Sequence, residues 1–182
     1  MNKLTLLIPL FGLIQFGCEQ DSSEDNNGIN NEKIEVVTHD IDATNANGFY
    51  YDLVNATEAD SSESWHLSFQ MLPVVLGNAT YMMPSLVLSS VLVAEYTDVT
   101  FDDMASTPTT FMEDYFQDPT VVQYGGSNEV LSYDMQIHRV SVKDPDRVFV
   151  LYESVGHTTY KVQFVEYVSG VISFSFSKFE NE

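Results

Sequence analysis

From Arg147 to Phe179 the chain alternates apolar and polar side chains almost without a break. Ile172, Phe174 and Phe176 fall in one phase and Ser173, Ser175 and Ser177 in the other. Upstream, Tyr160, Val162 and Phe164 share a phase against Lys161 and Gln163. A period of two with one apolar set marks antiparallel strands with one face on a core and the other in water; a helix would mix the two sets at every turn. Three consecutive strands are predicted, Val148–Glu153, Tyr160–Tyr167 and Val171–Phe179. The first two are joined by a Ser-Val-Gly-His-Thr turn, the last two by Ser169-Gly170.

The rest of the chain follows the same grammar less strictly. Lys33–Thr38 and Phe49–Val54 read as strands. Trp65–Leu72 reads as a third, with Trp65, Leu67 and Phe69 in the core phase and His66, Ser68 and Gln70 opposite. Pro73 has no N–H to give and is expected to end regular pairing there. Gly77-Asn78 is a turn, and Leu86–Tyr96 is an apolar run of one strand or two with a bend at Ser89-Ser90. Thr100 is placed to cap a helical turn over Asp102–Ala105. Thr110-Phe111-Met112-Glu113 matches a capping box and predicts a short helix over 111–117, closed by Asp118-Pro119. Tyr124–Asn128 is a turn. Val130–Val142 reads as one strand with Leu131, Tyr133, Met135 and Ile137 in phase, and Lys143–Asp146 as a turn. No internal repeat is evident. The expected fold is mostly β, antiparallel sheets with one or two short helices, in a single domain over 33–182.

The chain has 182 residues with 7 Lys+Arg against 27 Asp+Glu, a net charge of −20. Nucleic acid and anionic lipid heads repel such a surface, so nucleic-acid binding is excluded as a reading. There is one cysteine, so no disulfide within the chain is available. The sequence has no G-x-S-x-G, H-E-x-x-H, P-loop or Gly-rich dinucleotide loop, and an enzyme is not expected. The Asp40–Gly48 stretch is rich in acids and amides. It fails the EF-hand spacing, because the twelfth position from Asp40 is Tyr51 rather than a bidentate glutamate.

Residues 1–17 have a short positive start at Lys3 and an apolar run from Leu4 to Phe16, of signal-peptide length and too short to span a bilayer. The run ends Leu13-Ile14-Gln15-Phe16-Gly17-Cys18, which resembles the lipobox of a bacterial lipoprotein, although Gln15 and Phe16 depart from the strict pattern. The resemblance makes residues 1–17 a signal peptide and Cys18 the lipidated residue. It anchors the domain at a membrane surface without a spanning helix. Residues 18–32 then form an acidic, solvated tether, similar in composition to the surface-export signal of lipoproteins in the Bacteroidota. The alternative is an ordinary cleaved signal peptide with a leftover thiol.

An ordered set of local motifs extends the likeness. It comprises the lipobox and tether, Phe49-Tyr50-Tyr51-Asp52-Leu53, Trp65-His66-Leu67-Ser68-Phe69 and Val99-Thr100-Phe101-Asp102-Asp103 leading to Pro108. The ending contributes Arg147–Leu151, Gly156, Tyr160–Phe164, Tyr167 and Gly170–Phe174. Together these resemble the HmuY-like lipoproteins, haem-binding proteins of Bacteroidota, over about residues 33–179. His66 stands where that family has an acid. The resemblance implies an all-β fold and haem capture at the cell surface of the outer membrane, with delivery to a TonB-dependent receptor for iron acquisition. It also implies two axial ligands, a Met pair or a His pair, about thirty residues apart, each giving a soft or imidazole donor to one side of the iron. Met104 and Met135 fit that implied spacing; Met112 is the alternative to Met104 and His138 the alternative to Met135. Met135 is also readable as a core residue, in phase with Leu131 and Ile137, since methionines usually fill cores. Arg139, Lys143 and Arg147 could pair the haem propionates, or serve as edge-strand charges that block aggregation. His39 and His157 are expected in solvent. The competing reading is a lipid-anchored β-domain of the same architecture that binds a protein or a glycan and no haem.

Overall fold

The structure, a computed structural model, describes residues 32–41, 48–76, 78–107 and 130–179. The expected signal segment with Cys18, the expected tether up to residue 31, residues 42–47, the expected helix over 111–117 with Met112 and the expected turn at 124–128 lie outside the described residues. The described residues form eleven strands: β1 (Ile34–Val37), β2 (Phe49–Asp52), β3 (Thr57–Ala59), β4 (Leu67–Leu76), β5 (Ala79–Leu88), β6 (Val91–Tyr96), β7 (Leu131–Asp134), β8 (Arg139–Val142), β9 (Val148–Glu153), β10 (Thr158–Val168) and β11 (Val171–Lys178). All pairings are antiparallel. One sheet has the order β1-β11-β10-β9-β6, a second β3-β2-β4-β5, and β7-β8 form a separate hairpin.

The two larger sheets face each other across one core. Phe49 and Tyr51 from β2, Leu67 and Phe69 from β4 and Leu86 and Leu88 from β5 meet Phe149, Leu151, Tyr160, Val162, Phe164, Ile172, Phe174 and Phe176. Rings bridge the sheets: Tyr51 lies 5.5 Å from Phe174 and Phe69 lies 5.9 Å from Phe164, both edge to face. The long apolar run from β5 to β6 changes sheets at the expected bend, where Ser90 has a φ of 59°. Switching sheets through such a corner is how one continuous strand serves both layers of a sandwich. A bulge at Val165 in β10 shifts the register between Phe164 and Glu166. That shift puts Tyr167 on the core face together with Phe164. Ser169 and Gly170, with φ of 48° and 85°, form the tight turn from β10 to β11, as two-residue hairpin turns of the primed type require.

Three expectations are corrected. Pro73 does not end pairing: β4 runs on to Leu76 with Pro73 opposite Met82. Past Phe69 the strand has left β2, so it has an open side that can take a residue without an N–H. Val130–Val142 is two strands, because Met135–His138 form a turn. The turn expected after Thr100 is present: Thr100 Oγ1 accepts from Asp103 N at 3.2 Å while Met104 N donates to Thr100 O at 3.1 Å, and it is a single turn, with no helix among the described residues. Finally, the second face of the β9-β10-β11 meander is not wet throughout. Phe101, Met104, Val148, Val150 and Phe179 make a second apolar cluster upon it, and Ser175 and Ser177 are buried there.

Lys161 holds that second layer. Its side chain is only 7% exposed, and its Nζ donates to Phe101 O at 2.6 Å and Met104 O at 3.0 Å. The ammonium also lies 4.6 Å from the centre of the Phe101 ring. Burial pulls the lysine below its ordinary pKa; Asp102 pulls it up and Lys33 pulls it down.

Three hairpins share one loop. Tyr51-Asp52, Tyr133-Asp134 and Tyr152-Glu153 each end a strand and are followed by four loop residues, and the strands close at Asp52–Thr57, Asp134–Arg139 and Glu153–Thr158. In each, the acid's side chain accepts from the backbone N–H groups two and three residues ahead: Asp52 from Val54 and Asn55, Asp134 from Gln136 and Ile137, Glu153 from Val155 and Gly156. The fourth loop residue is left-handed, with φ of 51° at Ala56, 52° at His138 and 53° at His157. The carboxylate satisfies donors that the tight loop leaves unpaired, which offsets a backbone shape that L-residues otherwise resist.

Ala56→Gly removes the Cβ clash of that shape, and a gain of about 1 kcal/mol in urea unfolding is expected. Lys161→Met leaves two carbonyls of the second layer without their donor, and a loss of about 2–4 kcal/mol is expected by the same measurement.

Candidate functional site

The residues singled out in the sequence fall into two groups. Met135 sits on the tip of the β7-β8 hairpin and is 78% exposed, with Ile137 exposed beside it. Their phase suggested a core position; the Asp134-capped loop turns them out instead. His138 is on the same tip, with its Nδ1 2.6 Å from Tyr133 OH. That contact orients the ring and leaves Nε2 facing away, the arrangement in which histidines commonly ligate metals. Arg139 follows at the start of β8 and is exposed.

The others are structural. Met104 is 6% exposed, packed with Phe101, Val148, Val150 and Phe179. Two axial ligands must face one space, whereas here one sulfur faces a packed layer and the other bulk solvent. The Met104/Met135 pair therefore does not fit a haem iron. Arg147 is buried: Nη1 donates to Glu95 Oε1 at 2.8 Å, Nη2 to Lys143 O at 2.7 Å and Nε to Asp144 O at 3.4 Å. Its guanidinium ties the turn before β9 to β6 and is not free for a propionate. Lys143 is half-buried in that turn. Of the three cations, Arg139 alone shares the tip with Met135. His39 is exposed near Glu58, and His157 is exposed with its Nδ1 at Tyr152 OH, as expected for a solvated turn.

A second place emerges that the sequence did not mark. A cleft of about 520 Å³ opens where the β2-β3 loop, the stretch before β4, the Ser89-Ser90 corner and the β9-β10 loop meet; its walls include Asp52, Trp65, His66 and Glu153. Trp65 and His66 lie just ahead of β4, outside the alternating strand, and so exchange their expected environments. Trp65 is half-buried with its ring braced edge-on by Tyr50 at 5.2 Å, while His66 is 6% exposed. His66 N donates to Tyr51 O at 2.9 Å, and His66 O accepts from Ser89 N at 3.2 Å, which locks the residue between β2 and the sheet-changing corner.

The imidazole's chemistry follows from its contacts. His66 Nδ1 accepts from Leu53 N at 3.2 Å, so the ring proton of the neutral form is on Nε2. Asp52 Oδ1 lies 3.3 Å from the same Nδ1. Burial holds His66 below its ordinary pKa and outweighs the upward pull of Asp52 and Glu153. Tyr160 is pushed up by burial, then by Glu153 and by Asp52, while its bond with Thr158 works the other way. The neutral ring presents a fixed N–H donor, not a base. Among the described residues no group of three or more His, Cys, Asp and Glu side chains is arranged to hold a metal ion. The sequence signal that could have located this end of the molecule is the recurring Tyr-acid pair ahead of a four-residue loop. No pattern marked His66 as buried.

The sequence matches no protein-family model and no curated protein.

A histidine depressed in the folded state favours folding fully above its unfolded pKa of about 6.5, and that contribution is lost as pH falls toward the folded value. Stability should therefore decline as pH falls below about 7. His66→Gln, which keeps an acceptor for Leu53 N–H, should show a shallower decline in urea unfolding followed across that range.

Proposed function

We propose that this chain is a lipid-anchored binding protein of the bacterial outer membrane, tethered through Cys18 at the cell surface, that captures haem and passes it to a TonB-dependent receptor. The observation that carries the haem reading is the β7-β8 tip. An exposed thioether (Met135), an oriented imidazole (His138) and an exposed guanidinium (Arg139) lie within five residues there. These are a soft iron ligand, a second ligand type and a partner for a propionate. The lipobox-like segment and the HmuY-like motif order support the same reading. Met104 has no part in it, and any second axial ligand from this chain comes from another position, Met112 being the nearest candidate in the sequence.

The test is a hemin titration of the chain in oxidised and reduced states. A saturable, sharpened Soret band is expected, altered in shape or weakened about tenfold by Met135→Ala or His138→Ala. Met104→Ala should leave the band unchanged while lowering stability by about 2–4 kcal/mol. Unsaturable hemin uptake, or a band indifferent to both tip variants, would sink the reading in favour of a lipid-anchored domain without haem.

A further inference from the structure

The cleft beside His66 stands apart from the β7-β8 tip and does not rest on the haem reading. Its volume of about 520 Å³ suits a small ligand. Its chemistry narrows the class. No lysine or arginine lines it, while Asp52, Glu63 and Glu153 do, on a chain of net charge −20. An anion would be repelled. The inner carboxylates are already engaged: Asp52 accepts from Val54 N, Asn55 N and Asn55 Nδ2, and Glu153 accepts from Val155 N and Gly156 N. They hold the walls in place and offer no bare pair to a cation.

What the cleft does offer is a ring and a ladder of neutral polar groups. Trp65 is half-buried and braced by Tyr50, so an aromatic face is held on the wall at little cost in side-chain freedom. His66, nine-tenths buried, has Nδ1 satisfied from Leu53, and no described residue accepts from its Nε2. Ser89 and Ser90 also line the cleft. A flat, apolar C–H surface for the indole together with hydroxyls for a fixed N–H donor and two serines describes a sugar ring. We propose that this cleft binds a neutral pyranose, stacked on Trp65 and hydrogen-bonded to His66 Nε2 and the Ser89-Ser90 corner.

The chain has one tryptophan, and it lines the cleft, so its emission reports occupancy directly. The full chain would be titrated with glucose, galactose, mannose, N-acetylglucosamine, dextran and mannan, with glucuronate and sialic acid as charged controls. A saturable change in emission with at least one neutral sugar is expected, and none with the acids. Response to a monosaccharide identifies a free or terminal unit as the ligand; response to the polymers alone identifies a unit within a chain. Calorimetry on Trp65→Ala, at a half-exposed position and checked for an unchanged circular-dichroism spectrum, should show binding weakened about tenfold or more. The proposal is overturned by a flat emission trace across all the neutral sugars, by glucuronate binding as well as glucose, or by undiminished binding to Trp65→Ala.

Discussion

The fold depends on a set of aromatic rings clasped between two sheets. Phe69 from one sheet reaches Phe164 and Phe174 of the other, Tyr51 reaches Phe174 and Phe176, and Phe149 closes on Phe164 at 5.4 Å. Centroid separations of this size in edge-on or tilted geometry each add about 0.5–1.5 kcal/mol beyond the area they bury. They also set how far apart the sheets stand and how they are aligned. The β5-β6 corner must cross that gap, and the cleft is the space left at its end, where Ser89 and Ser90 meet the loops of β2-β3 and β9-β10. Rigid rings thus set the layer spacing across which that polar recess opens.

A second constraint works on the back of the meander. β10 carries a lysine on the buried part of the meander's second face, and a buried ammonium is tolerable only when its donors are used. Lys161 uses them on the carbonyls of Phe101 and Met104, which lie about one helical turn apart and are presented side by side by the Thr100-capped turn. The lysine stem packs with the second cluster while its head fixes the turn over the sheet. Arg147 plays a similar part at the entry to β9, binding two backbone carbonyls and Glu95 together. Two of the chain's seven cations are therefore framework.

Strict alternation made the terminal meander legible: β9 matches its expected limits, β10 and β11 differ by a residue or two, and the Ser89-Ser90 bend falls where the apolar run suggested. Alternation also misled. Met135 and Ile137 continue the phase of Leu131 and Tyr133, yet the Asp134 side chain captures two backbone N–H groups and turns the chain before the phase can act. Local capping won over periodicity. The burial of Ser175, Ser177 and Lys161 was illegible because the covering layer comes from Phe101 and Met104, far away in sequence, whereas periodicity sees only neighbours. The same limit hid the candidate site. Met104 and Met135 had the right separation along the chain but opposite surroundings in space, and Trp65 and His66 traded places because the strand begins one residue after them.

The repeated hairpin loop carries a consequence for descent. In each copy the work of closing the loop is done by the acid at the strand end and by the left-handed fourth residue, so of the residues between them only Leu53, buried in the core, is tied to the rest of the fold. Leu-Val-Asn, Met-Gln-Ile and Ser-Val-Gly occupy equivalent places without moving a strand. The exposed parts of such tips are exchangeable. Lineages can rewrite them, retune what the surface meets or escape what recognises it, while the two sheets inherit nothing but the demand for a carboxylate and a tolerant backbone.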